Sequence, residues 1–164
     1  MDYLGLDKNK LGEVADKMNI LLASYHVYYQ NLRSFHWHIN GNSFFDIHNV
    51  FEELYNDAKV KIDDIAERLL TIGHKPLGSM EAYLSHSTID ESRDMLEDEI
   101  MVSKIISNHA ELIRLIRGII STASRINDEG TVDIMGGFLS TLEKKSWMLS
   151  SWLSKRNSAV TLCN

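Results

Sequence analysis

Residues 44–72 read FFDIHNVFEELYNDAKVKIDDIAERLLTI. Ile47, Phe51, Leu54, Ala58, Ile62, Ile65, Leu69 and Ile72 recur at steps of three and four. That spacing gathers apolar side chains into one buried stripe of an α-helix. Neither Gly nor Pro interrupts the run, Gly73 is placed to cap its end, and Pro76 blocks continuation. A helix with one apolar stripe needs partners, and the flanking sequence supplies them. Upstream, Leu11, Val14, Met18, Leu21, Tyr25, Tyr28, Leu32 and Phe35 repeat the pattern, and Asn40-Gly41-Asn42-Ser43 separates the two segments. Downstream, Thr88-Ile89-Asp90-Glu91 has the form of a capping box. Val102, Ile105, His109, Leu112, Ile116, Ile119, Ala123 and Ile126 follow it. Asn127-Asp128-Glu129-Gly130 breaks that stripe before Val132, Met135, Leu139, Leu142, Leu149 and Leu153. The expectation is an all-α protein with long helices at about 8–38, 44–72, 89–126 and 131–155, packed as one four-helix bundle. Residues 1–164 then form a single domain. The connection 74–88, with a short helix around Met80–Leu84, is long enough for a long crossover between the second and third long helices. A short-loop bundle is the other topology open at this point.

Composition agrees with long helices. Hydrophobic residues make up 44% and charged residues 24%, while 1 Pro and 9 Gly leave few breakers. The formal net charge of −6 opposes a general attraction to nucleic acid or anionic membrane and favours metal cations. No apolar run approaches the ~18 residues of a membrane span, and the opening MDYLGLDKNK has no apolar signal core. Cys163 is the only cysteine, which excludes an internal disulfide and fits a cytoplasmic location.

Four potential ligands share one face of the second helix. His48 and Glu52 are four residues apart, as are Asp63 and Glu67, so each pair spans one turn. The step from Glu52 to Asp63 is eleven residues, or roughly three turns and about 16 Å along the axis. Metal–ligand bonds are about 2 Å long, so one straight helix cannot offer both pairs to one ion. A second copy, antiparallel across a two-fold axis near residue 57 or 58, removes the difficulty. His48 then faces the partner's Glu67, Glu52 faces the partner's Asp63, and symmetry repeats the site. Residues 36 and 48 are equally distant from position 42, so antiparallel packing of the first two helices brings His36 to His48. Two imidazoles and three carboxylates suit iron, with manganese or zinc able to substitute. Taken singly, Asp63 and Glu67 read as a solvated face beside Lys59, and His48 as an ordinary surface or core histidine. The matched pairs and His36 leave the metal site and the solvated face both open.

The same stretch carries a resemblance. His36-Trp37-His38-Ile39-Asn40-Gly41, Phe44-Phe45, His48, Phe51-Glu52-Glu53-Leu54-Tyr55 and Asp63-Asp64-Ile65-Ala66-Glu67-Arg68 resemble the signature of the Dps family, the mini-ferritins. The likeness extends through Asp128-Glu129-Gly130-Thr131-Val132-Asp133 and Glu143-Lys144-Lys145-Ser146-Trp147-Met148 to nearly the whole chain. It implies a dodecameric cage of identical subunits with a di-iron ferroxidase site at each two-fold interface. His36, His48 and Glu52 would come from one subunit, and Asp63 and Glu67 from its mate. It implies oxidation of Fe(II) by hydrogen peroxide or O2, storage of ferric mineral, and protection from oxidative stress. It further implies that Trp37 donates electrons and that Asp128, Glu129 and Asp133 line a pore for iron. Plainer roles stand beside these: Trp37 as interface filler, and the acids as partners of a helix dipole.

Some features depart from the family. Glu52 stands where many members have Asp, and His38 where Asn is common. The Glu-x-x-His motif of larger ferritins is absent. Lysine-rich tails bind DNA in some members, but residues 1–17 set Asp2, Asp7, Glu13 and Asp16 against Lys8, Lys10 and Lys17. Lys155 and Arg156 add only a small basic patch. Weak or no DNA binding is expected. The alternatives are a DNA-compacting structural protein with minor iron chemistry and a plain helical oligomer without metal. His109, on the third stripe, reads as a buried, hydrogen-bonded core histidine.

Overall fold

The computed structural model describes residues 4–41, 44–93 and 97–161, with side chains as far as residue 154. Asn42-Ser43, the Lys155–Arg156 side chains and Cys163 lie outside the described residues. A 3-10 turn at Lys8–Lys10, capped by the Asp7 carboxylate, leads into α1, Leu11–His38. Then come α2 (Phe44–Thr71), a short α3 (Met80–His86), α4 (Asp98–Ser124) and α5 (Glu129–Thr161). Among the described residues there is no strand.

Side-chain pairs give the direction of each helix. His36 meets His48 and Tyr29 meets Tyr55, both pairs centred on position 42, so α1 and α2 are antiparallel. Glu53, Lys61 and Arg68 of α2 meet Lys145, Phe138 and Thr131 of α5 in reverse order. His109 and Arg117 of α4 meet Ser146 and Glu143, so α4 also opposes α5. Consequently α2 and α4 point the same way, and no tight turn can join two parallel helices. The chain returns along α1 instead. Asn19 bonds the backbone N–H of Leu77, the His26 ring stacks on Tyr83, and Asn31 bonds the backbone N–H of Ser92. This is the long crossover of a ferritin-like four-helix bundle, and the short-loop topology is excluded.

The crossover explains why α1 is buried on more than one stripe, with Leu21 through Tyr25 all inside. The core formed by the four long helices is centred on Tyr25, Tyr28, Phe35, Phe51, Ile65, Leu69, Ile105, Ile116 and Met135. His109 is fully buried within it. The Ser146 hydroxyl donates to the Leu142 carbonyl, so the His109 Nδ1–H donates to Ser146 Oγ (2.9 Å) while Nε2 accepts from the Tyr28 hydroxyl (2.7 Å). The expectation for His109 is met.

Two helix boundaries need correction. Residues 88–91 do not begin a helix; α4 starts at Asp98, with Glu97 as its N-cap. Ser24 Oγ accepts from the Thr88 N–H, and Asn31 bonds both the Asp90 carbonyl and the Ser92 N–H. These bonds from α1 hold the segment out of a helix, with Ile89 buried in the core, so tertiary contacts override the local capping pattern. The last helix begins at Glu129 and runs to Thr161, beyond the expected 131–155. Its neighbour α4 ends at Ser124, where Asn127 takes a positive φ of 57° and the Asp128 N–H bonds the Ala123 carbonyl. Gly73, with φ 81°, closes α2 as expected through bonds from the Gly73 and His74 N–H groups to Leu70 and Leu69.

Candidate metal centre

Antiparallel packing sets the last turn of α1 against the start of α2, and His36 and His48 stack there with ring centroids 3.7 Å apart. Nδ1 of His36 lies 3.0 Å from the His48 carbonyl, and Nδ1 of His48 lies 2.9 Å from the His36 carbonyl. Carbonyls only accept, so Nδ1 of each ring carries a proton, and in the neutral tautomer the other nitrogen, Nε2, holds the lone pair a metal needs. Such carbonyl bonds fix the tautomer and orientation of metal-binding histidines. Phe44 stacks on the outer face of His48 at 4.8 Å, and Tyr55 meets His36 edge-on at 5.3 Å. The imidazoles are therefore clamped between two aromatic rings.

Glu52 sits one turn past His48 and is exposed. Its Oε1 accepts a 3.2 Å hydrogen bond from the Tyr55 hydroxyl. Burial, then the Glu52 carboxylate, raise the Tyr55 pKa above its ordinary value, so the hydroxyl stays a donor. Asp63 and Glu67 are exposed on the same helix, roughly three turns further on. Among the described residues, neither forms an ion pair with Lys59. The single chain thus joins His36 to His48 and leaves Asp63 and Glu67 apart from them. Among the described residues, no three His, Cys, Asp or Glu side chains converge on one point.

The other candidates separate clearly. Trp37 is 56% exposed, with the Arg33 guanidinium 4.8 Å above its ring. His38 is exposed, and its Nδ1 bonds the Ser34 carbonyl at the helix end. Asp128 requires a correction. It is 1% exposed, so its carboxylate cannot line a pore. Its Oδ1 accepts from the Thr131 N–H and from Arg68, and its Oδ2 accepts from the Thr131 hydroxyl. Asp128 caps α5 and locks it to α2. Glu129 and Asp133 remain exposed. Sequence reasoning missed Tyr55 and the Arg68–Asp128 pair. Tyr55 had a signal, since it mirrors Tyr29 about position 42 and follows Glu52 by three.

Residues 15–158 match the family model described as the ferritin-like domain. A DNA protection during starvation protein of Porphyromonas gingivalis is 36% identical over 159 residues, covering 94% of this chain and 98% of that one. The crystal structure of the Dps protein of Vibrio cholerae superposes with a TM-score of 0.90 at 37% identity, covering 93% of this chain and 96% of that one. The chain belongs to the Dps family. The Bacillus brevis Dps structure is also close, with TM-score 0.87, 34% identity and 90% and 99% of the two chains covered. The V. cholerae structure is described as a member of the ferritin-like diiron-carboxylate proteins. His36, His48 and Glu52 of this Dps chain offer imidazole and carboxylate groups, the donor types such a centre requires. No helix among its described residues is long and apolar enough to cross a membrane.

Proposed function

We propose that this Dps chain is a ferroxidase that oxidises Fe(II) and stores the ferric product within a dodecameric cage. The observation that carries the proposal is the reciprocal His36–His48 pair, which commits both Nδ1 atoms to backbone carbonyls and leaves Nε2 of each ring as the available donor, one helical turn from Glu52. In the proposed site, Asp63 and Glu67 of a two-fold mate complete the set, and symmetry makes two sites per pair of subunits. Iron enters as substrate, two ions per site. The imidazoles hold Fe(II), and the hard carboxylate oxygens favour Fe(III) as it forms. With hydrogen peroxide, two Fe(II) and two protons yield two Fe(III) and two waters; O2 is the other oxidant. Zinc or manganese can substitute as non-oxidised occupants. Glu129 and Asp133 line the proposed path of iron into the cage, and Trp37 serves as a nearby electron donor. The proposed setting is the cytoplasm under oxidative stress.

Absorbance followed while Fe(II) is added, first with peroxide and then with O2, tests this reading. Wild type should form ferric product quickly, and the Asp63→Ala/Glu67→Ala variant slowly. Equal rates would remove the site assignment. A light-scattering mass of one subunit would remove the intersubunit site. The name of the P. gingivalis relative speaks of DNA protection, and compaction of DNA is the second reading. The net charge of −6 and the acidic N-terminal residues oppose it. Retention of plasmid at physiological salt without divalent metal would support compaction.

A further inference from the structure

Resting on the metal-site reading above, we infer that Tyr55 is a positioning residue whose hydroxyl restrains the Glu52 carboxylate one helical turn from the imidazole pair. Glu52 is exposed on α2, where a glutamate otherwise samples many rotamers. The Tyr55 ring does not share that freedom. It stands edge-on to His36 at 5.3 Å and 83°, and to Tyr29 at 6.1 Å and 86°. Both contacts come from α1, so the first helix aims a hydroxyl carried by the second. That hydroxyl lies 3.2 Å from Glu52 Oε1. Engaging one carboxylate oxygen leaves the other for a cation. One aromatic residue thereby touches an imidazole donor and holds a carboxylate donor, tying groups from two helices into one preorganised unit.

The arrangement depends on the length of the side chain at position 52. An aspartate there would withdraw its carboxylate by about 1.5 Å, one carbon–carbon bond. The bond is already long for an O–H donor, so the shorter arm would fall out of reach. The Tyr55–Glu52 coupling accordingly belongs to the glutamate that this chain carries.

Anaerobic Co(II) titration of the assembled protein, by calorimetry and by the visible absorption of bound cobalt, tests this. Tyr55→Phe keeps the ring contacts and removes only the hydroxyl. It should weaken Co(II) binding by about tenfold, as loss of a supporting hydrogen bond at a metal site does, and change the cobalt spectrum. In a Glu52→Asp background, Tyr55→Phe should change neither. Wild-type affinity in Tyr55→Phe would overturn the inference. So would an equal loss in both backgrounds, which would mark Tyr55 as a packing residue. If wild type bound no Co(II), or His48→Ala bound it as well as wild type, the metal-site reading itself would fall and take the inference with it.

Discussion

His36 and His48 each donate Nδ1–H to the other's backbone carbonyl, at 3.0 and 2.9 Å. The exchange ties the end of α1 to the start of α2 and sets both rings with Nε2 free. His48→Ala should therefore cost little stability, about 1 kcal/mol for one hydrogen bond, because the His36 carbonyl can turn to water. Metal uptake should fall far more. Thermal unfolding by circular dichroism and Co(II) titration on the same samples measure both effects. A large stability loss with intact metal binding would contradict the assignment.

The proposed two-fold site makes a demanding prediction about mixtures. His48→Ala and Glu67→Ala subunits should each be inactive alone. In a mixed pair, one site carries both defects and the other carries neither. Random mixing should thus restore about one quarter of wild-type iron oxidation. Refolding the two variants together and following Fe(II) oxidation gives the answer. A mixture no better than either parent would argue that His48 and Glu67 act within one subunit.

The Arg68–Asp128 pair predicts a stability effect distant from the candidate metal donors. Asp128 is buried, and Arg68 reaches it from α2 while its Nε–H donates to Thr131 Oγ1 at 3.0 Å. Arg68→Ala would leave a buried carboxylate unpaired and should destabilise by about 3 kcal/mol. A Cβ on Gly130 would come within 2.9 Å of the Arg68 guanidinium, so Gly130→Ala should also destabilise. Gly118→Ala, where the added methyl meets nothing within 4 Å, should gain up to about 1 kcal/mol in helix propensity. Denaturant titration of the three variants checks the order, and a stabilised Gly130→Ala protein would refute the packing argument.

His109 gives the bundle a pH dependence. Burial, aided by the nearby charge of Lys61, lowers its pKa from 6.5 to about 3. The unfolded chain therefore binds more protons between these values, and stability falls as pH drops below about 6.5, levelling near 3. The loss from this group reaches about 5 kcal/mol only near pH 3, where the folded state takes up the proton as well. His109→Gln cannot titrate, so its stability should decline less between pH 6.5 and 4. Matching declines in both proteins would assign the acid sensitivity to other groups.

The helical architecture was legible because apolar residues at steps of three and four report a buried stripe wherever the helix packs. The His36–His48 contact was legible too, since symmetry about position 42 follows from antiparallel packing of two helices across a short turn. Thr88-Ile89-Asp90-Glu91 misled because a capping pattern is local, while Ser24 and Asn31 hold that segment from more than fifty residues away in sequence. Asp128 misled for a related reason. An acid beside a helix start looks available until the partner that buries it, Arg68 of another helix, is in view.

The sequence alone therefore determined the long helices and the pairing of the first two, and it set four candidate donors on α2 whose spacing calls for a second copy if they are to share one ion. Those properties depend on helical pitch, which is read along one chain. Tertiary structure decided the crossover along α1, the start of α4, the burial of Asp128 against Arg68 and the α1 ring contacts that aim Tyr55. Each of these rests on contacts between elements, chiefly side chains that satisfy polar groups on another helix or segment, and no local period encodes them.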